Sequence, residues 1–165
     1  MLNISRRQGN WLGFVICAGM MAYALYAQHV LFLEPCNLCI FQRIAVITMG
    51  VWFLVAALHG GASAKVRRVY GALIGLSAAF GVAVASRHLY IQSLPVDESA
   101  ACGPGLNYLL DTFPLGETLK LVFFGSGRCA DIDWSLFGLS MPAWVLISIL
   151  PVGLAGLWLN WREAD

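Results

Sequence analysis

Long apolar stretches dominate this chain, with little of the alternation that marks a half-buried strand or the polar stripe of a soluble helix. Four can be read, over about 11–33, 38–58, 69–87 and 141–160. Each approaches the roughly 20 residues that a helix needs to cross a hydrocarbon core of about 30 Å. The pattern therefore predicts an all-α membrane protein, a four-transmembrane-helix bundle forming a single integral membrane domain over residues 1–165. An even number of spans puts both termini on one side. Arg6 and Arg7 precede the first stretch, and Lys65, Arg67 and Arg68 fill the short link between the second and third. Positive residues mark the cytoplasmic side, so the termini are expected inside. The turn around residue 36 and the long segment of about 92–140 are expected outside. A competing reading takes Arg6 and Arg7, the apolar run and Ala22-Tyr23-Ala24 as a cleaved signal peptide. The apolar character continues to Leu33, beyond the usual 7–15-residue core of such a peptide, and argues against it.

Composition agrees with the pattern: 59% of the residues are hydrophobic, 12% are charged, and mean hydropathy is +0.75. A soluble domain is excluded. A net charge of +1 gives no basis for nucleic-acid binding. Within the outer segment, Leu115, Leu119, Val122 and Phe123 recur at helical spacing with Glu117 and Lys120 opposite. That stretch is expected to form a short amphipathic interfacial helix, or else a small loop core packed on the bundle.

The chemistry sits between the first two apolar stretches, in Glu34-Pro35-Cys36-Asn37-Leu38-Cys39-Ile40-Phe41-Gln42-Arg43. Pro35 suits the first turn of a helix, so the second span is expected to start just before Cys36. Unpaired N–H groups at a helix start favour a thiolate, and Arg43 lies one turn beyond Cys39 on the same face. A guanidinium that far into a span is costly against lipid and should either snorkel or serve a site. Holding a polar head group beside Cys39 is the better account of Arg43. A quinone fits that description, because its carbonyls accept hydrogen bonds, its tail dissolves in lipid and it takes two electrons from a dithiol.

Topology sorts the five cysteines. Cys17 falls inside the first span and reads as a small buried apolar residue. Cys36, Cys39, Cys102 and Cys129 fall on the outer side, where disulfides are permitted. Three pairings are open to them; Cys36–Cys39 with Cys102–Cys129 needs the least rearrangement. Cys102 stands in the turn-rich run Ala101-Cys102-Gly103-Pro104-Gly105, where a sulfur is open to attack.

These runs, with Gly125-Ser126-Gly127-Arg128-Cys129-Ala130-Asp131-Ile132-Asp133-Trp134 and Gly138-Leu139-Ser140-Met141-Pro142-Ala143-Trp144, resemble the disulfide bond formation protein B (DsbB) family, bacterial inner-membrane thiol:quinone oxidoreductases. The likeness covers nearly the whole chain. It implies a four-helix bundle with periplasmic redox loops that reoxidises a periplasmic thioredoxin-fold dithiol oxidase (DsbA-like) and passes electrons to ubiquinone or menaquinone. By that resemblance the partner attacks Cys102, the released Cys129 attacks Cys36, and the freed Cys39 works beside Arg43 on the quinone. His88 matches a histidine that the family keeps near the quinone, although a satisfied interfacial histidine is an equal reading. Trp134 is a candidate for the mouth of that site. Trp11, Trp158 and Trp161 read as interfacial belt residues. No metal is expected: structural zinc usually brings paired Cys-x-x-Cys knuckles, and Cys102 and Cys129 are far apart in sequence. A vitamin K epoxide reductase-like enzyme would place its Cys-x-x-Cys after the loop cysteines, whereas here it comes first. A non-enzymatic four-span scaffold would leave the Cys36/Cys39/Arg43 face unexplained.

Overall fold

In the computed structural model, residues 5–60, 63–93, 112, 114, 116–117 and 134–162 are described. Four helices carry the fold: α1 (Arg6–His29), α2 (Asn37–Leu58), α3 (Ala64–Gln92) and α4 (Met141–Trp161). All four are long and apolar enough to span a membrane. Between α3 and α4 stands a hairpin of two short strands, β1 (Ser135–Leu136) and β2 (Leu139–Ser140), in register Ser135 to Ser140 and Leu136 to Leu139. The stretch expected to form an amphipathic interfacial helix lies almost wholly outside the described residues, as do Cys102 and Cys129.

Each helix starts where its local chemistry allows. Ser5 caps α1 through a full capping box with Gln8. Cys36 caps α2, its sulfur accepting from the Cys39 amide at 3.3 Å. Pro35 therefore precedes the cap, whereas the sequence pattern places it in the first turn. The reason is that Cys36 keeps an extended backbone (φ −69°, ψ 167°) to present its sulfur to the orphan amides. α3 is longer than its apolar stretch, because the basic residues Lys65, Arg67 and Arg68 are good helix formers. α1 ends at His29, short of the apolar run, and Phe32 then turns the chain with φ 54°. In the hairpin, Phe137 and Gly138 both take positive φ, 52° and 78°, the signature of a primed two-residue turn.

α1 packs on α2, α2 on α3 and α3 on α4, while α1 and α4 meet less extensively. The core joins Cys17, Val46, Met49, Phe53, Ile74, Ala78 and Ile149. Cys17 is 3% exposed and packs as the small apolar residue that its position suggested. Close approach of α3 and α4 depends on Gly153, where an added Cβ would lie 2.2 Å from that of Ala78. Small residues at such crossings let backbones approach within a bilayer. At the end of the bundle away from Cys36, Asn10 and Asn160 are buried and exchange two amide hydrogen bonds, at 3.2 and 3.0 Å.

Replacing Gly153 with Val should force α3 and α4 apart and destabilise the protein by about 1–3 kcal/mol. Thermal unfolding in detergent would read this as a lower Tm, and an unchanged Tm would contradict the packing described.

Candidate functional site

The site gathers at the α2 start. The sulfurs of Cys36 and Cys39 lie 2.9 Å apart, because a cap residue and the residue three positions on face each other across one turn. Cys36 is tied to α2 by its cap bond and to α3 by His88, whose Nε2 stands 3.7 Å from the sulfur. His88 is 2% exposed, and Gln42, 4% exposed, meets its Nδ1 at 3.1 Å. With the Gln42 amide donating to Nδ1, a neutral ring carries its proton on Nε2, facing the sulfur. Gln42 thus sets the orientation and tautomer of His88, and it went unmarked in the sequence. Its only sequence signal was a polar residue inside an apolar span.

Arg43 lines the same space but is not left as a bare charge. One Nη donates to the Gln28 side-chain oxygen, and the other to the Ala24 carbonyl at 3.1 Å. Both acceptors lie near the C-terminal end of α1, where the helix dipole is negative. This fixes the guanidinium against α1 and satisfies a group that lipid would not tolerate bare.

Around these groups opens a cavity of about 610 Å³. Cys36, Cys39, Arg43, His88 and Trp134, five of the residues singled out in the sequence, all line it. Met20, Val46, Met141 and Val145 make much of its wall apolar. Trp134 stands edge-on to Tyr23, with ring centroids 6.0 Å apart. The hairpin holds the neighbouring segment, with Trp144 Nε1 donating to the Leu136 carbonyl at 3.1 Å and the Ser140 hydroxyl donating to Gln92 at 2.8 Å. Arg87 lies outside this group, stacked over Tyr90 at 5.2 Å. Glu34 lines the cavity rim and is exposed.

Fold and site define a class: a multi-pass membrane protein with a pair of cysteines at the start of a spanning helix, beside a largely apolar cavity. Comparison supplies the family. Residues 6–159 match the family described as Disulfide bond formation protein DsbB, and the chain belongs to it. Disulfide bond formation protein B of Nitrosococcus oceani is 49% identical over 95% of this chain and 92% of its own length. The protein of that name from Methylococcus capsulatus is 48% identical over 93% of each chain, and that of Xanthomonas axonopodis pv. citri 44% over 92% and 88%. The chain is thus an oxidoreductase of disulfide bond formation.

Substituting Gln42 with Leu leaves the buried Nδ1 of His88 without its donor and should cost about 1–3 kcal/mol. Thermal unfolding, with ¹⁵N imidazole chemical shifts to report the tautomer, would test this. A variant with wild-type Tm and shifts would show that Gln42 does not hold the ring.

Proposed function

We propose that this protein is a protein-dithiol:quinone oxidoreductase of the bacterial inner membrane, with both termini cytoplasmic and its redox loops in the periplasm. It reoxidises a periplasmic thioredoxin-fold oxidase of the DsbA type and delivers the electrons to ubiquinone or menaquinone. One observation carries the reading: the Cys36–Cys39 pair, His88 and Arg43 converge on a single cavity whose remaining wall is largely apolar. Membership of a disulfide-forming family requires an electron acceptor, and this cavity fits a ring with hydrogen-bond acceptors and an apolar tail. Arg43 would hold a ring carbonyl and Trp134 would flank the ring, while Met20, Val46 and Val145 would face its apolar edge.

The thiol chemistry balances as a series of exchanges. The partner's thiolate attacks Cys102, breaking Cys102–Cys129, and the released Cys129 thiolate attacks Cys36, breaking Cys36–Cys39. The partner's second thiol then displaces Cys102, and Cys102 in turn displaces Cys36 from Cys129. The partner leaves as a disulfide, Cys102–Cys129 is re-formed, and Cys36 and Cys39 stand as thiols. A bound quinone accepts two electrons and two protons and leaves as quinol. Closure of Cys36 with Cys39 releases those electrons, and His88, facing Cys36, takes part in moving the thiol proton. Arg43 offsets negative charge that develops in the cavity.

A second reading has its own observation. The sulfurs of Cys36 and Cys39 and a ring nitrogen of His88 all lie within 4.8 Å of one another, a soft donor set of the type that zinc takes.

The test is quinol formation by purified protein in detergent with reduced thioredoxin-fold dithiol and added quinone. Wild type should yield stoichiometric quinol and Cys39→Ser none. Arg43→Ala should raise the quinone KM by about tenfold or more, as expected for loss of a charge-assisted hydrogen bond. No quinol from wild type, together with one zinc per chain, would replace the redox reading with the metal one.

A further inference from the structure

The end of the bundle opposite the thiol pair gathers positive charge that the redox chemistry does not use. Six of the ten Lys and Arg residues, Arg6, Arg7, Lys65, Arg67, Arg68 and Arg162, lie at the helix ends there. Three of them converge. Arg6 donates through Nη2 to the Arg162 carbonyl at 3.2 Å, and Arg67 and Arg162 are the charges that act on it. The Nε atoms of Arg6 and Arg67 are buried with no hydrogen-bond partner. Like charges this close repel, and burial strips water from one edge of each guanidinium without supplying an acceptor. The acidic side chains among the described residues, Glu34 and Glu117, belong to segments joining the helices at the other end.

Beside this cluster runs an apolar groove of about 420 Å³ where α1 and α4 meet loosely. Leu12, Ile16, Pro151 and Ala155 form its sides and Phe53 its floor, and Trp158 and Arg162 stand at its charged end. Arg162 stacks over Trp158 at 5.0 Å, so the cluster and the groove are continuous. From Pro151 to Arg162 the helix rises about 16 Å, close to the half-thickness of a hydrocarbon core of about 30 Å.

We propose that this groove is a binding site for one anionic phospholipid, with an acyl chain along the apolar wall between α1 and α4 and the phosphate against Arg6, Arg67 and Arg162. The groove alone would accept any acyl chain. Arg6 and Arg67, each with a buried Nε that has no acceptor, select a head group of net negative charge, because a zwitterionic lipid brings a cation of its own. Basic pockets between spanning helices bind such head groups by the same physics.

Native mass spectrometry of the full chain, with phosphatidylglycerol and phosphatidylcholine supplied in equal amounts, tests the site. Wild type should carry phosphatidylglycerol over phosphatidylcholine by about tenfold, the ratio expected from one to two basic contacts. The preference should collapse in Arg6→Gln/Arg67→Gln. Ala155→Phe, which fills the exposed groove wall without touching the arginines, should reduce total lipid adducts. Tm of each variant in lipid-free detergent separates loss of binding from loss of fold. Equal binding of the two lipids by wild type, or a preference that survives in the double arginine variant, would overturn the proposal. So would a Tm rise with inorganic phosphate that matches the rise with phosphatidylglycerol, since the cluster would then hold free phosphate. A preference that emerges only in Glu163→Gln/Asp165→Asn would assign the arginines to the carboxylates at the C-terminus and overturn it as well.

Discussion

A polar group deep inside a bilayer has no water to fall back on, and the rest of this structure follows from how the polar groups between the helices find partners. Unmet hydrogen bonds in hydrocarbon cost several kcal/mol apiece. Here three sets of polar residues within the spans are matched across helices: Arg43 of α2 to Gln28 and Ala24 of α1, Gln42 of α2 to His88 of α3, and Asn10 of α1 to Asn160 of α4. These contacts fix which helix faces which and at what height. The apolar surface, which is as content against lipid as against another helix, cannot do that.

The same contacts position the chemistry. Cys36 and Cys39 are held by one turn of α2, His88 is brought up from α3, and Arg43 is anchored on α1. All four helices thus contribute to one cavity, α4 through Met141 and Val145, and the small residue at Gly153 lets α4 close on α3. A site built on helices holds its geometry better than one carried by loops. The hairpin before α4 adds Trp134 to the wall while giving its own polar atoms partners in Gln92 and Trp144.

Much of this was legible in the sequence, for physical reasons. Twenty-residue apolar runs can satisfy their backbones in lipid only as helices, so the four spans could be read from hydropathy. Cys36, Cys39 and Arg43 fall at i, i+3 and i+7 and share a helix face whatever the surroundings. Pairings between helices could not be read. Gln42 and Gln28 carry no motif, and nothing local says that one orients His88 and the other receives Arg43. Proline preference points to a start of α2 at Pro35, and the cap sulfur of Cys36 moves it to Asn37. The separation of Cys102 from Cys129 in sequence says nothing of their separation in space, and both fall outside the described residues.

The cap of α2 is a sulfur, and that choice has a mechanical side. An ordinary cap oxygen is chemically inert and keeps its amide partner for the life of the fold. Cys36 instead offers the Cys39 amide an acceptor that is itself a reactive atom. Any bond that this sulfur makes or breaks reorients its lone pairs with respect to the first turn of α2. The acceptor that closes the first turn of α2 is therefore tied to the covalent state of a cysteine sulfur.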